Sequence, residues 1–518
     1  MSLVDLHRRL DQRFRLLTGG NRNALPRQQT LGATVAWSYD LLNEPEREVL
    51  RRLTVFVDGF DLDAAEAVCA AESVDPFDVA DILGSLVNKS LVTAERSSGS
   101  LRYGLLETIR QYAVEQLLQV DGDDTAYETR RRHAEHYLRL TEEAALTINA
   151  HGQVRWVKRL DEEWGNLKAS FEFFAATPER TGDVLRLAVA SVTFCLIRGH
   201  LEPITYLRDA IEEAPPESSL LNAQALLALA QWEYWARDGQ SALETSGDVC
   251  RRCIEVARHL GEERLEAMAL AWLSGMQKVL GEDDEALRLG VESLDIARRT
   301  DDPYVVGRAL EGLAYALPTP EERIPLYEEG LTLFRSIGNL NWSIAMLNFL
   351  AKMNLETFED VARNRRFAEE AVAVAEELGA AWALPGVWGD LAEWCGMLGD
   401  PIPARTYARR AIGANRRIGK GDWYQQFNLL TLSWCAATEG DYELAAQLEG
   451  AREALQQRTP DYSGFGHSPP EIQWEAANRA SIIESLGADE AERYMSIGRA
   501  LPFTEVIDLA LGRPGRAH

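Results

Sequence analysis

The chain has few cysteines, no long apolar run and too little positive charge, and each shortage removes a class of function. Six cysteines, at 69, 195, 250, 253, 395 and 435, are scattered over 518 residues. A disulfide framework would show them at regular spacing. Cys250 and Cys253 form a lone C-x-x-C with no second pair to complete a zinc site, so they read as two ordinary thiols on one helix face. No apolar stretch reaches the roughly 20 residues of a membrane span. The opening segment, MSLVDLHRRLDQRFRLL, has cations but neither an apolar core nor a cleavage site. It is not a secretory signal, and a cytoplasmic location is expected. Lys and Arg number 54 against 81 Asp and Glu, a formal charge of −27. A phosphate backbone needs clustered cations, so DNA is not expected as the main partner.

Catalytic motifs are missing too. The sequence contains no G-x-x-x-x-G-K-[ST], G-x-S-x-G or H-E-x-x-H. Asn88-Lys89-Ser90 lacks the glycines that let backbone wrap a phosphate, and Gly419-Lys420-Gly421 lacks the hydroxyl for a magnesium ion. His133 and His136 stand at i, i+3 without converging ligands and read as surface or partly packed histidines. The pairs Glu162-Glu163 and Glu369-Glu370 read as solvated helix faces. No catalytic, cofactor-binding or metal-ligating residue is assigned, no cofactor is expected, and the chain is not read as an enzyme. ATP binding is not expected.

What is present is a folded composition, 46% hydrophobic and 26% charged, with a mean hydropathy of −0.23. Residues 30–120 change character several times. TLGATVAWSYDLL has helical spacing, Pro45 opens a second helix, and Asp61 can cap a third after the turn at Asp58-Gly59. DVADILGSLVNKS places Val79, Ile82, Leu83, Leu86 and Val87 on one stripe. Residues 90–94 and 101–105 flank a Ser/Gly turn as a hairpin, and ETIRQYAVEQLLQ closes the unit. Three helices, a hairpin and another helix describe a winged helix. Residues 121–217 read as a helical bridge.

Residues 218–457 repeat. VARHLG (256–261), IARRTD (296–301), LFRSIG (333–338), VAEELG (374–379) and ANRRIG (414–419) recur at spacings of 40, 37, 41 and 40. A second set of breakers lies between them: Arg237-Asp238-Gly239, Gly281-Glu282-Asp283, Pro318-Thr319-Pro320, Leu398-Gly399-Asp400 and Glu439-Gly440-Asp441. Two helices per period make an α-solenoid of tetratricopeptide type. Trp232, Trp272, Trp342, Trp382 and Trp423 are placed early in the first helices and read as core. Trp272→Ala should cost about 3–5 kcal/mol if the ring is fully buried. Residues 458–518 read as a loop, TPDYSGFGHSPPE, then a helical cap and a frayed tail, GRPGRAH. The fold class is mainly α: a winged helix followed by helical hairpins.

LPRQQTLGATVAWSYDLLNEPEREVLRRLTVFVDGFDLDAAEAV, then LVNKSLV and YGLLETIRQYAVEQL, resembles the winged helix that follows the ATPase core in bacterial STAND-class regulators of AfsR-like and LuxR-like architecture. RRRHAEHYLRL, WVKRLDEEWGNLKASFEF and RGHLEPITYL are similar to that family's bridge into its repeats. AAQLEGAREAL through YMSIGRALPFTEVIDLAL is similar to the stretch before its terminal helix-turn-helix. Residues 1–29 resemble the last piece of the ATPase module. The Walker loop, cyclase domain and terminal helix-turn-helix of the family are not found, which implies either an excised fragment or a stand-alone descendant. The resemblance implies a sensor module whose repeats bind a protein, peptide or small effector, with a separate or lost ATPase domain as a further partner. The groove residues are left open, and no membrane partner is implied. The alternative is a DNA-binding regulator that uses the winged helix. Its third helix, DVADILGSLVNKS, carries Asp78 and Asp81 and a single cation, Lys89. The hairpin adds Arg96 and Arg102, and the preceding helix adds Arg47, Arg51 and Arg52. This balance favours a protein–protein hinge over a DNA reader.

Overall fold

A computed structural model describes residues 26–71, 73–97, 100–213, 219–236, 240–418, 422–458 and 467–512. The ATPase-tail reading of residues 1–25, the turns at 98–99 and 237–239, most of the loop after 458 and the tail from 513 lie outside the described residues. The chain forms two compact units, residues 1–141 with 159–184, and residues 142–158 with 185–518.

The first unit begins with α1 (Pro26–Asp40) and α2 (Glu44–Arg52). Asn43 starts α2 with a reciprocal cap: its Oδ1 accepts from the Glu46 N–H at 2.9 Å, and Glu46 accepts from the Asn43 N–H at 3.0 Å. Asp61 caps α3 (Leu62–Cys69) as the sequence predicts, accepting from the Ala64 N–H at 2.8 Å. Then come α4 (Val79–Asn88), β1 (Thr93–Ser97), β2 (Ser100–Gly104) and α5 (Glu107–Gln116). The hairpin pairs Glu95 with Arg102 and Ala94 with Tyr103. Its first strand starts three residues later than the sequence suggests. Ser90 takes a left-handed conformation (φ 59°) and the Leu91 N–H bonds back to the Leu86 carbonyl, so residues 90–92 finish α4 instead. Phe60 forms an isolated antiparallel bridge on the other edge of β2, exchanging two backbone hydrogen bonds with Tyr103 at 2.9 and 2.7 Å. Val49, Leu50, Leu53, Phe60, Val68, Leu83 and Leu86 make the buried core. One π turn (Leu117–Asp121) joins α5 to α6 (Gly122–Ala145), and α7 (Gln153–Glu162) and α8 (Trp164–Ala175) follow. The division between units runs through α6 and α7.

The second unit holds α9 (Thr181–Arg198, from Leu185), α10 (Pro203–Glu213) and six helical hairpins. These are α11 (Leu220–Ala236) with α12 (Gln240–Leu260), α13 (Glu263–Val279) with α14 (Asp283–Ala297), and α15 (Pro303–Ala316) with α16 (Pro320–Ile337). Then come α17 (Leu340–Ala351) with α18 (Phe358–Leu378), α19 (Leu384–Met397) with α20 (Pro401–Ile418), and α21 (Asp422–Thr438) with α22 (Tyr442–Arg458). The recurrent glycines do what the repeat requires of them. Gly338 and Gly379 close α16 and α18 in the left-handed conformation, where a side chain would be strained. Ala257, Ala297 and Ala375 are fully buried. Gly312 lies against the backbone of Ala271, where a Cβ would sit 2.8 Å from its carbonyl oxygen. α23 (Pro469–Leu486), α24 (Ala488–Ala500) and α25 (Phe503–Ala510) finish the stack, with Val506 and Ile507 of α25 buried against Ile412, Leu429 and Leu448.

The stack is not held by neighbours alone. The Asn149 carbonyl accepts from Asn339 Nδ2 at 3.0 Å, and Gln153 Oε1 accepts from the Asn341 N–H at 2.8 Å. Farther along, the Ile197 carbonyl accepts from the Ala381 N–H, and Arg198 donates to the Gly379 carbonyl, both at 2.8 Å. Segments that precede the repeats thus supply partners for the helix starts of two hairpins.

Candidate functional site

The candidate site is the winged helix, and the placement of its cations defines the surface it offers. The exposed part of α4 and the turn before it carries Phe77, Asp78, Asp81, Gly84 and Asn88. Phe77 is 89% exposed, an apolar ring beside two carboxylates. Lys89, the residue after α4, pairs with Glu46 at 2.5 Å while its side chain stays 38% exposed. Burial alone would raise the Glu46 carboxyl, but Lys89, Ser85 and the Asn43 N–H donate to it and hold it below the usual range.

The arginines of α2 are spent in the same way. Arg51 is buried, bonded to Asp121 at 2.5 and 3.0 Å, to the Tyr39 hydroxyl at 2.8 Å and to Glu44 at 3.1 Å. Arg52 pairs with Glu48 at 2.7 Å and donates to the Cys69 carbonyl at 2.9 Å. Arg47 donates to the carbonyls of Tyr39 and Asp40 at 3.3 and 2.8 Å.

Arg102 is the informative cation of the hairpin. The pleat of β2 directs it off the hairpin to the start of α8, where Nη1 meets Glu163 Oε1 at 2.5 Å. Glu163 has no exposed side-chain surface. Tyr137 of α6 donates to it at 3.0 Å, Asn166 of α8 at 2.7 Å, and Arg159 of α7 lies 3.1 Å away while also pairing with Asp61. Asn166 extends the network, accepting from the Val57 N–H at 2.7 Å and donating to the Gly59 carbonyl at 2.9 Å. His133 Nε2 lies 3.2 Å from the Asn166 oxygen. Burial removes His133 from water and pushes its pKa down to about 4, against the smaller opposing pull of Asn166. His136 is lowered too, again chiefly by burial. Beneath the hairpin lies a cleft of about 540 Å³ lined by Phe56, Asp58, Glu95, Arg102 and Arg110. Its Arg110 is tied to Glu107 at 2.9 Å. The arrangement fixes the wing to the helices that follow it.

Several sequence expectations need correction. His133 is a buried member of a polar network rather than a surface or partly packed residue, because α6 lies over Phe56 and brings the imidazole within 5.3 Å of that ring. Glu163 is no solvated helix-face residue, since the wing's guanidinium draws it inside. The tryptophans of the repeats do not form one buried series. Trp232 is fully buried but stands in the last turn of α11, and Trp382 precedes α19. Trp272 is half-buried in the middle of α13, edge-on to Tyr234 at 5.4 Å. Its other neighbour is Arg308, 5.5 Å away and itself 3.4 Å from the Trp342 ring centroid. A ring against a guanidinium buries less apolar area than one inside an aliphatic layer, so Trp272→Ala costs less than the figure for full burial. Cys250 and Cys253 are free and buried, and burial pushes the Cys253 thiol up to about 12. Among the described residues no group of three or more His, Cys, Asp or Glu side chains is arranged to hold a metal ion. No described helix is long and apolar enough to cross a membrane.

Comparison with known proteins agrees with this architecture. Residues 42–118 match the family described as a winged helix-turn-helix domain. Over 501 residues, 95% of the chain, the sequence is 34% identical to "Putative HTH-type transcriptional regulator Mb0914c" of Mycobacterium bovis and equally to "Putative HTH-type transcriptional regulator Rv0890c" of Mycobacterium tuberculosis. The chain spans about half, 51%, of those relatives. A shorter likeness, 42% over 134 residues, links 26% of the chain to 34% of an uncharacterized protein of Mycobacterium tuberculosis. Among solved structures, the STAND protein with a tetratricopeptide repeat sensor PH0952 from Pyrococcus horikoshii covers 95% of this chain, and 68% of its own, with a TM-score of 0.50. At 15% identity this is a likeness of fold. The chain therefore carries a winged helix-turn-helix domain ahead of helical hairpins, in a fold like that of a tetratricopeptide-sensor STAND protein, and is homologous to mycobacterial proteins of which it spans about half.

Proposed function

We propose that this chain is the non-catalytic sensor and interaction part of a STAND-type signalling or transcription regulator of AfsR/LuxR-like architecture. In this reading the repeats receive a protein, peptide or small effector, and the winged helix is a protein–protein hinge toward an ATPase domain. The observation that carries it is the commitment of the cations. Lys89, Arg51, Arg52 and Arg102 are each bonded to a carboxylate of the same unit, while the exposed face of α4 and the turn before it presents Phe77, Asp78, Asp81 and Asn88, and Arg96 of the hairpin stays exposed. A major-groove reader needs the reverse: free Arg, Lys, Asn or Gln on that helix, for phosphate and for base edges. The formal charge of −27 adds a repulsive field. No reaction is assigned to the chain.

The second reading, DNA binding through the winged helix, is favoured by the domain type and by the name of the relatives. Fluorescence anisotropy of labelled duplexes at low and physiological salt separates the two. At most weak binding that disappears at physiological salt is expected. Sequence-selective binding tighter than micromolar at physiological salt would replace the hinge by a DNA reader.

A further inference from the structure

α1 buries only one of its faces. Val35, Tyr39 and Leu42 are buried in the winged helix, with the Tyr39 ring edge-on to Tyr112 of α5 at 5.4 Å. The opposite face is apolar and open. Trp37 is 65% exposed, Leu41 at the helix end is 60% exposed, and Ala33 and Thr34 are exposed beside them. Trp37 and Leu41 stand at i, i+4, so the two side chains are neighbours. A Trp and a Leu left adjacent in water mark a surface that something covers. α1 precedes residues 42–118, the part that matches the winged helix-turn-helix family, so that domain does not supply the cover.

Charge and chain length identify the cover. Asp40 is exposed, and so is the Glu44 side chain, while the nearby Arg47 guanidinium is already donated to the Tyr39 and Asp40 carbonyls. Residues 26–120 carry fifteen Asp or Glu against eight Lys or Arg. The twenty-five residues before α1 lie outside the described ones, and their sequence has the opposite balance, five Arg against two Asp. Leu3, Leu6, Leu10, Phe14 and Leu17 recur there at the spacing of one helical stripe. The stretch from 3 to 17 has fifteen residues, as α1 has. Eight residues, including Gly19-Gly20, separate the two. That is within the usual length of a connection between packed helices.

We propose that the Trp37–Leu41 face of α1 is the docking surface for residues 3–17, which lie on it as an antiparallel helix and make a helical hairpin ahead of the winged helix. In that register Leu3, Leu6 and Leu10 come opposite Leu41, Trp37 and Ala33. The arginines of the segment then border an acidic surface, which favours this pairing over others. A second copy of the chain suits the face less well, because it would bring one acidic surface against another. The proposal is independent of the hinge reading, which the duplex-binding measurement tests.

Hydrogen–deuterium exchange of the full chain at neutral pH tests this, with a synthetic peptide of residues 1–25 as the unprotected reference. Amides of residues 6–17 are expected to exchange at least tenfold more slowly in the chain than in the peptide. Trp37→Gln with Leu41→Gln leaves the buried face of α1 intact and should return them to the peptide rate. Leu6→Gln with Leu10→Gln should do the same from the other side, an independent reading should the first pair fold poorly. Oxidative cross-linking checks the register, since all six native cysteines are buried. Leu10→Cys should form a disulfide with Ala33→Cys, and Arg8→Cys, on the opposite side of the segment, should not. Peptide-rate exchange in the unsubstituted chain, protection that survives both pairs of substitutions, or no disulfide from Leu10→Cys would overturn the proposal. So would a dimer that depends on Trp37 while residues 6–17 stay unprotected, which would assign the face to a second copy.

Discussion

Glu163 shows what a single residue can hold together. It takes hydrogen bonds or ion pairs from Arg102 in the hairpin, Tyr137 in α6, Arg159 in α7 and Asn166 in its own helix. Buried ion pairs add little net stability over an apolar core, but removing one partner strands the other charge. Arg102→Met should therefore destabilise the first unit by about 3 kcal/mol, at the low end for a broken buried pair because three donors to Glu163 remain. Adding Glu163→Gln should recover part of the loss, which a double-mutant cycle by urea denaturation would measure. Equal and additive losses would mean that the two residues act independently. His133 supplies the pH dependence. Its folded pKa is about 4, below the ordinary value of 6.5. Between these values the unfolded chain binds the extra proton, so stability is full above about pH 6.5 and falls as pH drops toward 4. The loss is at most about 3 kcal/mol. His133→Phe should flatten that part of the stability–pH curve. A slope unchanged by the substitution would place the titration elsewhere.

At the scale of elements, the glycines explain how closely the helices approach. α22 and α24 cross at Gly450 and Gly498, and a methyl group on either would overlap the other helix's backbone, at Met495 and Gln447 respectively. Backbone cannot move aside as a flexible side chain can. Gly450→Ala should thus destabilise the C-terminal helices by about 1–3 kcal/mol, although alanine is the better helix former. Local melting followed by hydrogen exchange in α24 would detect this, and a neutral or stabilising result would mean that the helices cross farther apart. The Gly-ended repeats were legible in sequence because each glycine serves a local need, a left-handed residue after a helix. The mid-helix crossing glycines were not, because what they meet lies in another helix.

On the scale of the second unit, the bonds from residues 149–198 to the starts of two hairpins set it apart from an ideal solenoid. In such a solenoid each repeat senses only its neighbours and unfolding can begin anywhere. Here the Asn341 N–H is satisfied by Gln153, and Gln153 is itself buried. Gln153→Leu should leave that donor unpaired and cost about 1–3 kcal/mol. The loss should be read in α17, far along the chain from the substitution, as reduced amide protection. Loss of protection confined to α7 would show that the repeats stand alone.

The amino-acid sequence by itself determined the helices, their caps and their punctuation. Asp61, Pro45, Gly338 and Gly379 act within a few residues of themselves, and the 37–41-residue period is written directly along the chain. It also carried the acidic balance of the helix that would read DNA. Only the tertiary structure decided which charges survive to meet a partner. Arg102 and Glu163 are 61 residues apart, Arg51 and Asp121 are 70, and Lys89 and Glu46 are 43. Nothing local distinguishes a glutamate on a solvated helix face from one that folding buries against a guanidinium. Local geometry is encoded by neighbours in sequence, whereas burial and pairing arise from neighbours in space, and the chemistry of this protein's surfaces depends on the second.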